Sequence, residues 1–163
     1  PLALDAGVDE IAHMVVDPCP DELIQRAATT GTRWVPTLEL WQGVSRSYNL
    51  PYAKMATDNL ARFVQAGGEV ALGTDYAGAP VSFDLGMPLT EIKMMGAAGM
   101  TPQHIIVAAT RNAARACNRE TDLGTLAAGK LADLIVVAGD PLADPAALAK
   151  LRLVMRAGRM IPV

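Results

Sequence analysis

Apolar residues in the first half of this chain switch repeatedly between strand spacing and helix spacing, and this restricts the fold more than any other feature. Val8-Asp9-Glu10-Ile11-Ala12-His13 reads as a short strand, and Asp21 to Thr30 as a helix with Leu23, Ala27 and Ala28 inward and Gly31 as its stop. Arg33 to Leu38 reads as a second strand, with Pro36 near its end where the ladder needs no donor. Trp41 to Leu50 reads as a loop and Pro51 to Ala66 as a helix closed by Gly67-Gly68. Val70-Ala71-Leu72-Gly73-Thr74-Asp75 reads as a third, buried strand that delivers an aspartate into a glycine-bounded turn. The order β-α-β-α-β predicts an α/β architecture with parallel strands covered by helices.

Further along, Leu89 to Ala98 is expected to be helical. A second helix has Thr101 as N-cap, Pro102 at its first position and an end near Cys117. Beyond it the pattern turns strand-rich. Leu131 to Val137 reads as one strand, and Leu151 to Ala157 with Arg159 to Val163 as a hairpin turning at Ala157-Gly158. The chain is therefore expected to divide into a helix-and-strand part, 1–118, and a strand-rich part, 119–163.

Hydrophobic residues make up 51% of the 163 residues but aromatics only 4%, so the core must be built largely from alanine, leucine, valine and isoleucine. A net charge of −3 lacks the basic footprint of a nucleic-acid binder. Cys19 and Cys117 lie far apart and match no metal spacing, which fits reduced thiols and a cytoplasmic location. No apolar run approaches the roughly 18 residues of a membrane span. The first residue is Pro1 rather than Met, so the chain is expected to begin inside a longer polypeptide or a processed product.

Two side chains at strand tips carry chemistry. His13 ends the first strand and Asp75 the third. In barrels of alternating strands and helices the active site is built at the C-terminal ends of the strands. An imidazole and a carboxylate there suit a divalent ion, and an aspartate beside such an ion can take a proton from water and pass it to a leaving group. The bland alternatives are a hydrogen-bonded core histidine for His13 and an N-cap or Asx-turn aspartate for Asp75. His104, in the first turn of a helix, reads as a solvated surface group. Trp41 and Tyr76 follow predicted strands and could line a pocket. Glu10, Glu39 and Asp84 show no spacing that completes a metal shell. Gly124-Thr125-Leu126-Ala127-Ala128-Gly129-Lys130 fits a phosphate-loop pattern, but Leu131 stands where that loop requires Ser or Thr, and a strand follows instead of a helix.

Four passages together resemble the C-terminal part of a metal-dependent amidohydrolase, in the branch of imidazolonepropionase-like enzymes and Xaa-Pro or Xaa-Arg dipeptidases. They are Gly7 to His13; Val35-Pro36-Thr37-Leu38; Leu72-Gly73-Thr74-Asp75; and Leu123 to Val136 followed by Asp140-Pro141-Leu142. The resemblance implies a (β/α)8 TIM-type barrel whose sixth strand ends at His13, seventh near Thr37 and eighth at Asp75. It implies that the tail belongs to a small β-sandwich normally completed by N-terminal residues. It makes His13 a metal ligand, Asp75 a metal ligand and proton shuttle, and Gly124 to Ile135 a structural turn leading into a strand. Zinc is the expected ion, one or two in the complete enzyme, and a small amide, dipeptide-like or cyclic amide is the expected substrate. The family's first-strand His-x-His pair, fourth-strand bridging group and fifth-strand histidine have no match here, so the missing N-terminal half is an expected partner and the chain alone is expected to be inactive. The alternatives are a non-catalytic fragment that persists as a homo-oligomer, burying two open sheet edges, and an ordinary α/β binding domain.

Overall fold

The computed structural model describes residues 1–76 and 81–162. In chain order its elements are α1 (Leu2–Asp5), β1 (Glu10–Ala12), α2 (Asp21–Thr29), β2 (Arg33–Val35), α3 (Leu38–Tyr48) and α4 (Tyr52–Gln65). Then come α5 (Leu89–Ala97), α6 (Pro102–Val107), a π turn (Ala108–Asn112), α7 (Ala113–Ala116), β3 (Leu134–Val137), a 3-10 turn (Pro145–Ala149), β4 (Leu151–Arg156) and β5 (Arg159–Ile161). Part of the loop after Asp75, and Val163 at the end of the expected hairpin, lie outside the described residues.

β1 and β2 pair in parallel, with Glu10 opposite Arg33, Ile11 opposite Trp34 and Ala12 opposite Val35. Trp34 pairs in turn with Val70. Side chains alternate across a strand, so Ile11, Trp34 and Val70 share one face and Glu10, Arg33 and Glu69 the other. On the first face Trp34 stacks on Phe63 of α4 with ring centroids 3.9 Å apart and planes 13° from parallel. Ile24 and Ala27 of α2, Leu60 of α4 and Val70 join this core. On the second face Arg33 donates to Glu69 Oε1 at 2.7 Å and to Glu10 Oε2 at 3.4 Å, and Arg115 donates to Glu69 Oε2 at 2.6 Å. The two faces fix the register together. A one-residue slip would drive Arg33 into the apolar core and Trp34 into the charged face.

The third expected strand forms less ladder than its sequence suggests. Val70 makes a single bridge, through Trp34 N–H to Glu69 O and Ala71 N–H to Trp34 O, both 3.0 Å. Its far side is not an open edge as expected. Leu72 N–H donates to Ala108 O at 3.0 Å, and Asn112 Nδ2 donates to Val70 O at 2.8 Å. The π turn supplies both groups, widening the helix where it meets the strand. Buried backbone polar groups must find partners, and here a helix satisfies them in place of a neighbouring strand.

The expected loop from Trp41 to Leu50 is instead most of α3, and Leu38 begins that helix rather than ending β2. Gly43, Ser45, Ser47 and Asn49 obscured the pattern because each weakens helix propensity. The helix holds because Leu38, Trp41 and Val44 recur on one side, with Leu38 and Trp41 packed into or against the core. Gly43 is demanded by packing: a Cβ there would lie 2.5 Å from Val81 Cβ.

The tail folds as the antiparallel sheet β3-β4-β5. Its hairpin turns at Ala157 and Gly158, both at positive φ, as expected. Lys130, the lysine of the false phosphate loop, donates to Leu123 O at 2.9 Å and Glu120 O at 2.5 Å, so its charge closes its own turn. No helix among the described residues is long and apolar enough to cross a membrane.

Candidate active site

The parallel pairing brings the C-terminal ends of the three extended segments to one edge, and the residue at each end is conformationally strained. His13 has φ 65°, Thr37 φ 48° and Asp75 φ 54°. Left-handed backbone at a non-glycine residue costs on the order of 1–3 kcal/mol and is rarest for β-branched side chains such as threonine. The other described non-glycine residues at positive φ have ordinary explanations: Asn49 and Asn118 close helices, and Ala157 sits in the hairpin turn.

Pairing continues past β1 and β2 to reach this edge. His13 N–H donates to Val35 O at 2.9 Å and Met14 N–H to Pro36 O at 3.0 Å. This holds the main chain of His13 against that of β2 while its side chain stays exposed, so His13 is not a packed core histidine. Its Nδ1 lies 3.2 Å from Thr37 Oγ1, and no described residue engages Nε2. Asp75 is also exposed, and its carboxylate caps no amide and pairs with no cation among the described residues. Two residues earlier the segment approaches β2 closely: a Cβ on Gly73 would stand 2.6 Å from Val35 Cγ1.

Thr37 is the N-cap of α3, yet its side chain makes no cap hydrogen bond. An N-cap residue ordinarily takes an extended conformation, which aims its oxygen at the second or third amide of the helix. The left-handed backbone turns Thr37 away from those amides. Glu91 of α5 serves them instead, its Oε2 accepting from Glu39 N–H at 2.7 Å. Glu91 is fully buried, and burial pushes its carboxyl up to about 7 despite the amides of Glu39 and Leu38 that favour its charge. Burial also raises Glu39, whose Oε1 accepts from Asp84 N–H at 2.5 Å. Glu39 Oε2 and Glu91 Oε1 are buried without a protein partner.

Sequence reasoning weighed Glu39 only as a possible metal ligand and passed over Glu91. Glu39 fell between the expected strand and the expected loop, where no helix was foreseen, but Glu91 carried a legible signal. It shares the buried face of α5 with Ile92 and Met95, an acid where only apolar residues belong.

Tyr76, next to Asp75, is 61% exposed and meets Phe83 edge-on with centroids 5.4 Å apart. Trp41 lies on α3, packs partly against the core and meets Tyr52 edge-on at 5.7 Å. His104 is exposed in the first turn of α6, its amide donating to the Thr101 cap at 3.2 Å. Among the described residues no three histidine, cysteine, aspartate or glutamate side chains form a cluster able to hold a metal ion.

Comparison with known proteins bears on this edge. Residues 13–161 match the model of the amidohydrolase family. An imidazolonepropionase of Thermoanaerobacter pseudethanolicus is 34% identical over 119 residues, which is 71% of this chain and 25% of that protein. An imidazolonepropionase of Symbiobacterium thermophilum is 32% identical over 138 residues, 83% of this chain and 29% of that protein. The crystal structure of a Xaa-Pro dipeptidase with methionine in its active site superposes with a TM-score of 0.86 at 28% identity, covering 99% of this chain and 41% of the dipeptidase. The chain thus spans less than a third of these curated relatives' length.

Proposed function

Because this chain belongs to the amidohydrolase family, we propose that it is the C-terminal part of a metal-dependent hydrolase that cleaves a C–N bond in a small amide, dipeptide-like or cyclic amide substrate. The observation that carries this reading is the placement of His13 and Asp75, both exposed and both on left-handed backbone, at the same edge of the parallel segments. In this reading β1, β2 and the segment ending at Asp75 are the sixth to eighth strands of a barrel, and β3 to β5 belong to a sandwich beside it.

The donor chemistry fits a divalent ion such as zinc, which accepts imidazole nitrogen and carboxylate oxygen. Two donors are fewer than the three protein ligands of a catalytic zinc site, so the remainder must come from upstream residues. When bound, the cation polarises the substrate carbonyl and acidifies the attacking water. His13 would hold it through Nε2. The Asp75 carboxylate would take the proton from water and deliver it to the departing nitrogen, the work of a general base and then a general acid. Tyr76, beside Asp75, would pack on the substrate, with Trp41 contributing from α3.

The test compares the 163-residue chain with a polypeptide extended upstream at its own locus. Both are assayed on Xaa-Pro dipeptides and a cyclic amide, and both are measured for zinc. Hydrolysis and stoichiometric zinc are expected in the extended protein alone. Robust turnover by the short chain would refute the incomplete site, and an extended protein that is inert and metal-free would refute the hydrolase reading.

A further inference from the structure

We propose that Thr37 is a positioning residue for His13, released for that work by Glu91. This rests on the reading of His13 as a metal ligand and adds what orients it. A metal-ligating histidine is held by a hydrogen bond from its other ring nitrogen, which sets both tautomer and ring direction. Here the partner of Nδ1 is a hydroxyl, Thr37 Oγ1 at 3.2 Å. With the proton on Nδ1 and donated to Oγ1, the Nε2 lone pair faces outward from the strand tips.

Two independent features show that the hydroxyl is committed to His13. The first is strain. Thr37 holds a left-handed φ of 48° although it is β-branched and buried. Glycine or asparagine would sit there at lower cost, so the conformation persists for what the side chain does. The second is substitution of the cap. Threonine at an N-cap is normally drawn to the helix amides. In this chain the Glu39 amide is already taken by the Glu91 carboxylate, 2.7 Å away and arriving from a different helix. The Glu91 carboxyl oxygen supplies the acceptor that a threonine cap would otherwise offer. Glu91 thus frees Thr37, and Thr37 directs His13.

The readout is the His13 tautomer in metal-free, 15N-histidine-labelled chain, at a pH where both imidazoles are neutral. His13 and His104 are the only histidines, so His104→Gln assigns the spectrum. The wild type should show His13 with its proton predominantly on Nδ1. Thr37→Ser, which keeps the hydroxyl, should preserve that state, and Thr37→Val should lose it. Should Thr37→Val fail to fold, Thr37→Gly tests the same point, because glycine adopts the backbone without strain. Glu91→Gln keeps an acceptor for the Glu39 amide and should leave the tautomer unchanged. A wild-type His13 protonated on Nε2, or a tautomer indifferent to Thr37→Val and Thr37→Gly, would overturn the proposal. Titrating zinc into the upstream-extended protein, with the His13 signals assigned by their loss in His13→Gln, separates it from the function it rests on. Zinc should shift the Nε2 resonance, with affinity about tenfold weaker in Thr37→Val. If zinc leaves wild-type Nε2 untouched while the tautomer depends on Thr37, the positioning stands and the metal reading fails.

Discussion

Replacing Glu91 by glutamine should change how stability depends on pH, by an amount set by the burial of one carboxyl group. Glu91 is fully buried and titrates near 7 instead of its ordinary 4.5. Its folded-state pKa is raised, so between those values the folded chain keeps a proton that the unfolded chain has released. Stability therefore falls as pH rises through that window and stays lowered above 7. A displacement of this size corresponds to about 3 kcal/mol at 1.36 kcal/mol per pH unit, a large part of the roughly 5–15 kcal/mol that holds a domain together. Glu39 is buried beside it and also raised, so the transition belongs to the pair. Glutamine keeps an oxygen for the Glu39 amide but cannot ionise. Its NH2 group can stand where Glu91 Oε1 now lacks a partner, at a cost of about 1–3 kcal/mol if that donor stays unpaired. Urea unfolding of both proteins at intervals from pH 4.5 to 8.5 measures the effect. The variant should be the less stable at pH 4.5 and should gain on the wild type by about 3 kcal/mol by pH 8. Subtracting the two curves removes the contribution of the shared carboxylates that do not interact with Glu91, and leaves that of Glu91 and its coupling to Glu39. Parallel curves across that range would show that Glu91 does not carry a buried proton.

Other consequences are equally direct. Asp75→Asn and His13→Ala should each lower hydrolysis by the upstream-extended protein by about 100-fold or more while moving the melting temperature little, since both side chains are exposed; a variant retaining full turnover would remove that residue from the chemistry. Gly73→Ala places a methyl 2.6 Å from Val35 Cγ1 and should destabilise by about 1–3 kcal/mol, with recovery in the double variant carrying Val35→Ala; denaturant midpoints decide it. Asn112→Ala strips Val70 O of its 2.8 Å donor and should cost about 1–3 kcal/mol. In that variant, hydrogen exchange at the Ala71 and Leu72 amides should quicken before exchange in β1, and unchanged exchange would mean that the helix does not hold that strand edge.

Local patterns in the chain were enough to specify much of this protein. The alternation of apolar runs and helical faces predicted β1, α2, β2, α4, α5 and the helical stretch opening at Thr101, because period-2 and period-3.6 burial leave different marks on a sequence. The same patterns placed His13 and Asp75 at the ends of extended segments, where a parallel sheet gathers its functional groups. The four-passage resemblance pointed to the amidohydrolase family, which the match over residues 13–161 shows.

Relations between distant residues were decided only by the tertiary structure. Around Trp41 the apolar recurrence of Leu38, Trp41 and Val44 is masked by poor helix formers, and α3 is packed closely against Val81, far along the chain. Val70 to Asp75 has the composition of a full strand, yet one of its sides is satisfied by Ala108 and Asn112, whose role emerges only where a widened helical turn meets it. Thr37 reads as an unremarkable residue between a strand and a helix. Its commitment to His13 depends on a carboxylate 54 positions later taking over the cap. Sequence periodicity reports which faces are buried, since burial acts on each residue in turn. Hydrogen bonds between buried polar groups depend on which distant partner arrives at three ångströms, and only the folded chain settles that.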